Sequence, residues 1–216
     1  MILWLKLIVG ASFIFAWGYF IYLLFQTFSF SPRVYYSTAR GEEKRGVFYA
    51  LGAGLMPWAK ESASRHLGVY LAGIIYHSGI FVGFIILGFL LFNFKINTHV
   101  RFILGVFTTV GLFCGLGLFI RRLSLRELRF ISQADDYLAN LLVDIFLASS
   151  FLSLYVTSFQ PLFLIISILL LIYVPLGKIR HCLFFFISRA FFGRFYGRRG
   201  VLPHKVNLSR LSGEEK

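Results

Sequence analysis

His77 and His181 are the two residues whose type and placement can do chemistry that their surroundings cannot. Each lies in or at the end of a strongly apolar stretch, and a neutral imidazole is a common metal ligand. If the stretches are helices running in opposite directions, both histidines reach the same depth from one end. Two imidazoles meeting between helices are the arrangement for bis-histidine ligation of a b-type haem. The same placement also suits a polar pair bonding across helices, or two unrelated interface histidines. Cys114 and Cys182 stand far apart in apolar surroundings. With no C-x-x-C-H and no C-x-x-C, a c-type haem attachment and a cysteine-held cluster are excluded.

The other three histidines are His66, His99 and His204. His66 precedes His77 by eleven residues, close to three helical turns, so the two share a face about 16 Å apart. That spacing would serve a second, stacked haem. His66 also closes the polar run Lys60-Glu61-Ser62-Ala63-Ser64-Arg65, where an interfacial histidine needs no ligand. His99 and His204 read as solvated. Among the acidic residues, Ser132-Gln133-Ala134-Asp135 has the form of a capping box, and Asp135 and Asp136 suit a helix N-terminus. Asp136, with Tyr137, can additionally face a quinone or a cofactor. Asn140 and Asp144 fall one and two turns further in. A carboxylate inside hydrocarbon is costly unless paired, so Asp144 bonds a positive residue or an interhelical partner, or relays a proton.

The elements that must position these groups are membrane helices. The chain has 216 residues, 58% hydrophobic and 14% charged, against about 25% charged in a soluble domain. This excludes a disordered chain, a disulfide scaffold and an ordinary soluble enzyme. About 20 apolar residues cross a bilayer as a helix. Five stretches qualify: 2–28, 67–92, 102–120, 137–157 and 161–176, the last with an extension to His181 left open. Lys6 and the lack of an A-x-A site make the first a retained helix and not a cleaved signal. The domain reading is a five-helix bundle over 1–185 and a basic tail over 186–216.

Of 22 Lys and Arg residues, 19 fall in the segments 33–65, 121–136 and 178–216, and only Lys6, Lys95 and Arg101 fall elsewhere. Five spans place those three segments on one face, which the positive-inside rule makes cytoplasmic. The expected fold is therefore an all-α, multi-pass bundle in the cell (inner) membrane, N-terminus outside and C-terminus inside. The net charge of +13 is then mostly topology, with a contribution toward anionic lipid or an acidic partner. Nucleic acid is not needed to explain it.

Three stretches carry a resemblance: Tyr76-His77-Ser78-Gly79-Ile80-Phe81, Ile131-Ser132-Gln133-Ala134-Asp135-Asp136-Tyr137, and Pro175-Leu176-Gly177-Lys178-Ile179-Arg180-His181. With Phe192-Gly193 and 197–203, they resemble the membrane cytochrome b (gamma) subunit of respiratory nitrate reductase. They are more similar still to its relatives in sulfate-reducer and heterodisulfide-reductase-like membrane complexes. In that family the second and fifth helices each give two histidines to two haems. The resemblance matches His77 and His181 to the pair nearer the cytoplasm. The other pair would fall near Leu87 and Phe163, which cannot bind iron, so it implies one haem b, with a second on His66 left open. It also implies electron exchange between menaquinone or ubiquinone and a cytoplasmic iron–sulfur or heterodisulfide-reductase-like partner.

Haem propionates favour Arg and Lys, which makes Arg65, Arg180 and Arg189 candidates, although topology alone explains arginines there. With the haem on the inner side, the quinone site is expected there too. The chain has no flavin, molybdenum or iron–sulfur motif, so further chemistry belongs to a partner. The contrasting expectation is a haem-free membrane anchor for a cytoplasmic redox complex, which would purify colourless.

Overall fold

The computed structural model describes residues 2–30, 36–59 and 61–202. Arg33, Lys60 and His204, and the tail from Pro203 onward, lie outside them. The described residues form helices and turns, with no strand among them. The helices are α1 (Ile2–Phe28), α2 (Glu43–Leu51), α3 (Glu61–Arg65), α4 (Leu67–Leu91), α5 (Thr98–Ser124), α6 (Arg126–Ile131), α7 (Ala134–Tyr155), α8 (Gln160–Leu176) and α9 (His181–Arg199). The chain divides into two compact units. The first holds 1–31 and 65–181, and the second 32–64 and 182–216.

In the first unit, α1, α4, α5, α7 and α8, the last together with the 3-10 turn Thr157–Phe159 before it, are long and apolar enough to cross a membrane. Helix α4 lies against α5, α5 against α7, α7 against α8, and α8 against α1, while α4 also meets α7. Lipid is as apolar as leucine, so such helices associate through close packing and small residues. Gly79 and Gly111 show how: a Cβ built at Gly79 would stand 2.9 Å from the Gly111 Cα, so neither position has room for a side chain. The core joins Val9, Ile86, Leu87, Phe146, Leu147, Phe163 and Leu164 from four helices. The opposite faces carry Trp4, Phe25, Phe81 and Phe113, all largely exposed, as lipid-facing side chains should be.

The turns explain where the spans end. Asn93 takes a left-handed φ of 56°, and Phe94 N–H donates to Phe89 O at 2.9 Å, closing α4 with a Schellman-type cap. The Asn97 side chain accepts from Val100 N–H at 2.8 Å, so α5 begins at Thr98, ahead of the predicted 102. The fifth span does not run on to His181. Helix α8 stops at Leu176, Gly177 is extended, Lys178–Arg180 form one 3-10 turn, and His181 opens α9.

In the second unit α2 and α9 approach backbone to backbone. A Cβ built at Gly197 would lie 2.8 Å from the Gly46 Cα, and Arg40 and Gly41 N–H both donate to Arg198 O, at 2.9 and 3.0 Å. Glu43 joins Arg194 at 2.7 Å and Arg198 at 3.4 Å. The Arg194 hydrogen bond holds the Glu43 carboxyl below its ordinary pKa.

Candidate functional site: a histidine pair at one end of the bundle

His77, on α4, and His181, at the turn after α8, come together. Their ring centres are 6.4 Å apart with planes at 80°. Each ring is tethered at the same atom. His77 Nδ1 donates to Gly73 O at 2.7 Å, and His181 Nδ1 donates to Lys178 O at 2.8 Å. A carbonyl oxygen only accepts, so in both neutral rings the proton sits on Nδ1 and the lone pair on Nε2. Both side chains are exposed.

The test of fit to a metal between them is geometric. Two imidazoles bound at about 2 Å to one ion from opposite sides have ring centres roughly 6 Å apart, which the observed spacing meets. The backbone tethers are of the same kind as the outer-shell hydrogen bonds that fix tautomer and ring direction in metal-ligating histidines. Among the described residues no group of three or more His, Cys, Asp or Glu side chains is placed to hold an ion.

The turn that carries His181 is braced from two helices. Asp136, in the first turn of α7, bonds Lys178 Nζ at 2.6 Å and Arg122 of α5 at 3.1 Å, and accepts from Gln133 N–H at 3.0 Å. The capping box is therefore shifted one residue from the sequence expectation, to Gln133 and Asp136. Ser132 instead donates to Leu128 O at 2.7 Å. Asp135 accepts from the Tyr173 hydroxyl of α8. Lys178 thus holds Asp136 with its side chain and His181 with its carbonyl.

Asp144 lies apart from this brace, buried between helices at 3% exposure. Asn140 Nδ2 donates to its Oδ2 at 2.9 Å, and the Tyr76 hydroxyl donates to Asn140 O at 3.3 Å. Its Oδ1 has no hydrogen-bond partner among the described residues. That oxygen and the Tyr76 ring fill the space where Gly115 has no Cβ. Among the described residues the neighbours of Asp144 are thus the neutral Asn140 and Tyr76, and no cation pairs with it. Tyr76 links this cluster to the histidine pair, its ring 6.1 Å from that of His77.

The remaining predicted residues are placed as follows. His66 is the N-cap of α4, exposed, eleven residues along the helix from His77 and without ring contact to the pair. Arg65 ends α3, and Arg180 directly precedes His181; both are exposed. Arg189 belongs to the second unit, where Nε and Nη2 donate to Ala50 O at 3.0 Å and Gly54 O at 2.8 Å. Tyr137 meets Phe119 edge-on at 6.2 Å. Sequence reasoning did not single out Tyr76, Gly115, Arg122, Tyr173 or Lys178 for these roles. Tyr76 and Lys178 stand beside the histidine motifs, but nothing in spacing pairs Arg122 or Tyr173 with α7.

Leu87 and Phe163, the positions where the resemblance would put a second ligand pair, are both core residues. Phe163 is fully buried, 5.4 Å ring to ring from Phe146. Compared with models of known families, with curated proteins and with solved structures, the chain matches none.

Proposed function

We propose that this chain is the membrane-anchoring b-type cytochrome subunit of a respiratory redox complex, in which His77 and His181 hold one haem b. In this reading it passes electrons between membrane menaquinone or ubiquinone and a cytoplasmic iron–sulfur or heterodisulfide-reductase-like partner. The observation that carries the reading is the approach of two imidazoles to 6.4 Å, each with Nδ1 committed to a backbone carbonyl. The haem, when bound, supplies a reversible one-electron iron couple.

The chain's own residues do the rest. Gly73 and Lys178 fix the tautomer of the two ligands through their carbonyls. Asp136, Arg122 and Lys178 hold the His181 turn. Arg180 and Arg65 offer positive charge for propionates near the same end. Arg189 serves this less well, since two of its donor nitrogens are committed elsewhere. Support for one haem is that Leu87, Phe146 and Phe163 fill the helix interior with side chains. The Asp144–Asn140–Tyr76 cluster next to His77 is the proposed proton-handling group of an inner-side quinone site.

Haem content by pyridine haemochrome tests the reading on the purified full chain and on three variants. The expected result is one b haem per chain, lost in His77→Ala and His181→Ala and kept in His66→Ala. A colourless wild type would leave a haem-free anchor, and two haems with one lost in His66→Ala would mean a second site at the interface.

A further inference from the structure

The three cations that stand outside the basic segments, Lys6, Lys95 and Arg101, line a single open cleft of about 650 Å³ at one end of the first unit. They come from α1, from the turn after α4 and from the first turns of α5. Such charges are rare at this end of the chain, where 19 of the 22 Lys and Arg lie elsewhere. Their convergence therefore calls for a reason. Among the described residues no acidic side chain lines the cleft, and none of the three cations pairs with a carboxylate. Lys6 Nζ donates to the neutral Asn93 Oδ1 at 2.7 Å, which holds the ammonium without cancelling its charge. Phe89 and Phe94 supply apolar wall to the same cleft.

We propose that this cleft binds a phosphate-bearing anion, the headgroup of an acidic phospholipid. Lys6, Lys95 and Arg101 would carry the phosphate while the aromatic wall takes the adjoining hydrocarbon. Lys and Arg with three and five N–H donors are suited to phosphate oxygens. An uncompensated group of three cations, with Lys6 and Arg101 half-buried and Lys95 exposed, gains most from an anion that brings its own apolar tail. The proposal does not depend on haem or quinone at the opposite end.

The test is native mass spectrometry of the detergent-solubilised full chain titrated with phosphatidylglycerol, read as the affinity of the first lipid bound. At about 1 kcal/mol per basic residue near a membrane surface, removing two charges lowers affinity roughly 30-fold. That is the loss expected for Lys95→Gln/Arg101→Gln. Arg101→Lys, which keeps the charge and the fold, should bind as wild type. Arg126→Gln/Arg129→Gln, removing two charges from the other end, should leave the first lipid in place. A competition arm with excess inorganic phosphate, matched in ionic strength by chloride, separates the sources. Retention of lipid assigns the site to the headgroup, and displacement by phosphate alone overturns the lipid assignment in favour of the free anion. Equal affinity in Lys95→Gln/Arg101→Gln and wild type, or an equal loss in the control pair, overturns the site itself.

Discussion

A neutral imidazole offers one lone pair, and the nitrogen that offers it is decided by what holds the other. In His77 and His181 the decision is made by backbone carbonyls, so no side chain has to be kept in place to set the tautomer. The position of His181 is more delicate, because it stands after an extended glycine and a single 3-10 turn. Asp136 is the residue that steadies that turn, through Lys178 and Arg122. Asp136→Asn removes the charge while keeping the size. It should release Lys178 and loosen His181 and, with haem held as proposed, broaden or shift its low-spin spectrum, with occupancy falling only in part. His181→Ala should abolish occupancy. Low-temperature optical and electron paramagnetic resonance spectra of the two variants check this. An Asp136→Asn spectrum identical to wild type would leave Asp136 a helix cap and nothing more. The types of these residues were legible from the chain, since a histidine in hydrocarbon and an acidic pair before an apolar run both stand out. Their partners were not, because Asp136 and Lys178 are 42 residues apart and only the fold brings them together.

At the scale of elements, hydrophobicity located the spans well because a membrane helix is defined by its own length and apolarity. Its ends were less legible, since they depend on caps such as Asn93 and Asn97 and on the break at Gly177. The segments between spans were the least legible. Their composition mixes basic, aromatic and glycine residues, and sequence reading left 186–216 as a tail. Yet α9 runs nineteen residues and joins α2 through glycine contacts no periodicity announces. The Glu43 pairing with Arg194 and Arg198 gives that unit a pH signature. The hydrogen bond from Arg194 lowers the folded pKa of Glu43. The pair's contribution is therefore fully present above the ordinary glutamate value and is lost as pH falls through the lower folded value. Glu43→Gln should melt below wild type at neutral pH, and the gap should close under acid conditions. Thermal unfolding of both proteins across that range checks it, and a gap that does not change with pH would mean that the ion pair contributes nothing.

For the whole molecule, charge sorts by end. Within the first unit, Lys6, Lys95 and Arg101 line the cleft at one end. Arg122, with Asp136 and Lys178, braces the other, where the histidine pair also lies. Retained cations mark the cytoplasmic side of a membrane protein, so the histidine end should face the cytoplasm. The functional reading depends on this, because a cytoplasmic iron–sulfur partner can exchange electrons over short range only with a group held at that face. Single cysteines placed at Ser158 and at Ser124, in a chain with Cys114→Ser and Cys182→Ser, distinguish the two ends. Ser158→Cys should react with an impermeant maleimide in intact cells, and Ser124→Cys only after the membrane is opened. The reverse pattern would turn the histidine pair outward. It would then leave the proposed haem ligation standing on its geometry while removing the cytoplasmic partner from the proposal, and it would move the proposed phosphate cleft to the inner leaflet. Orientation thus separates what the site can bind from what the protein can pass electrons to, a distinction that no measurement of haem content makes.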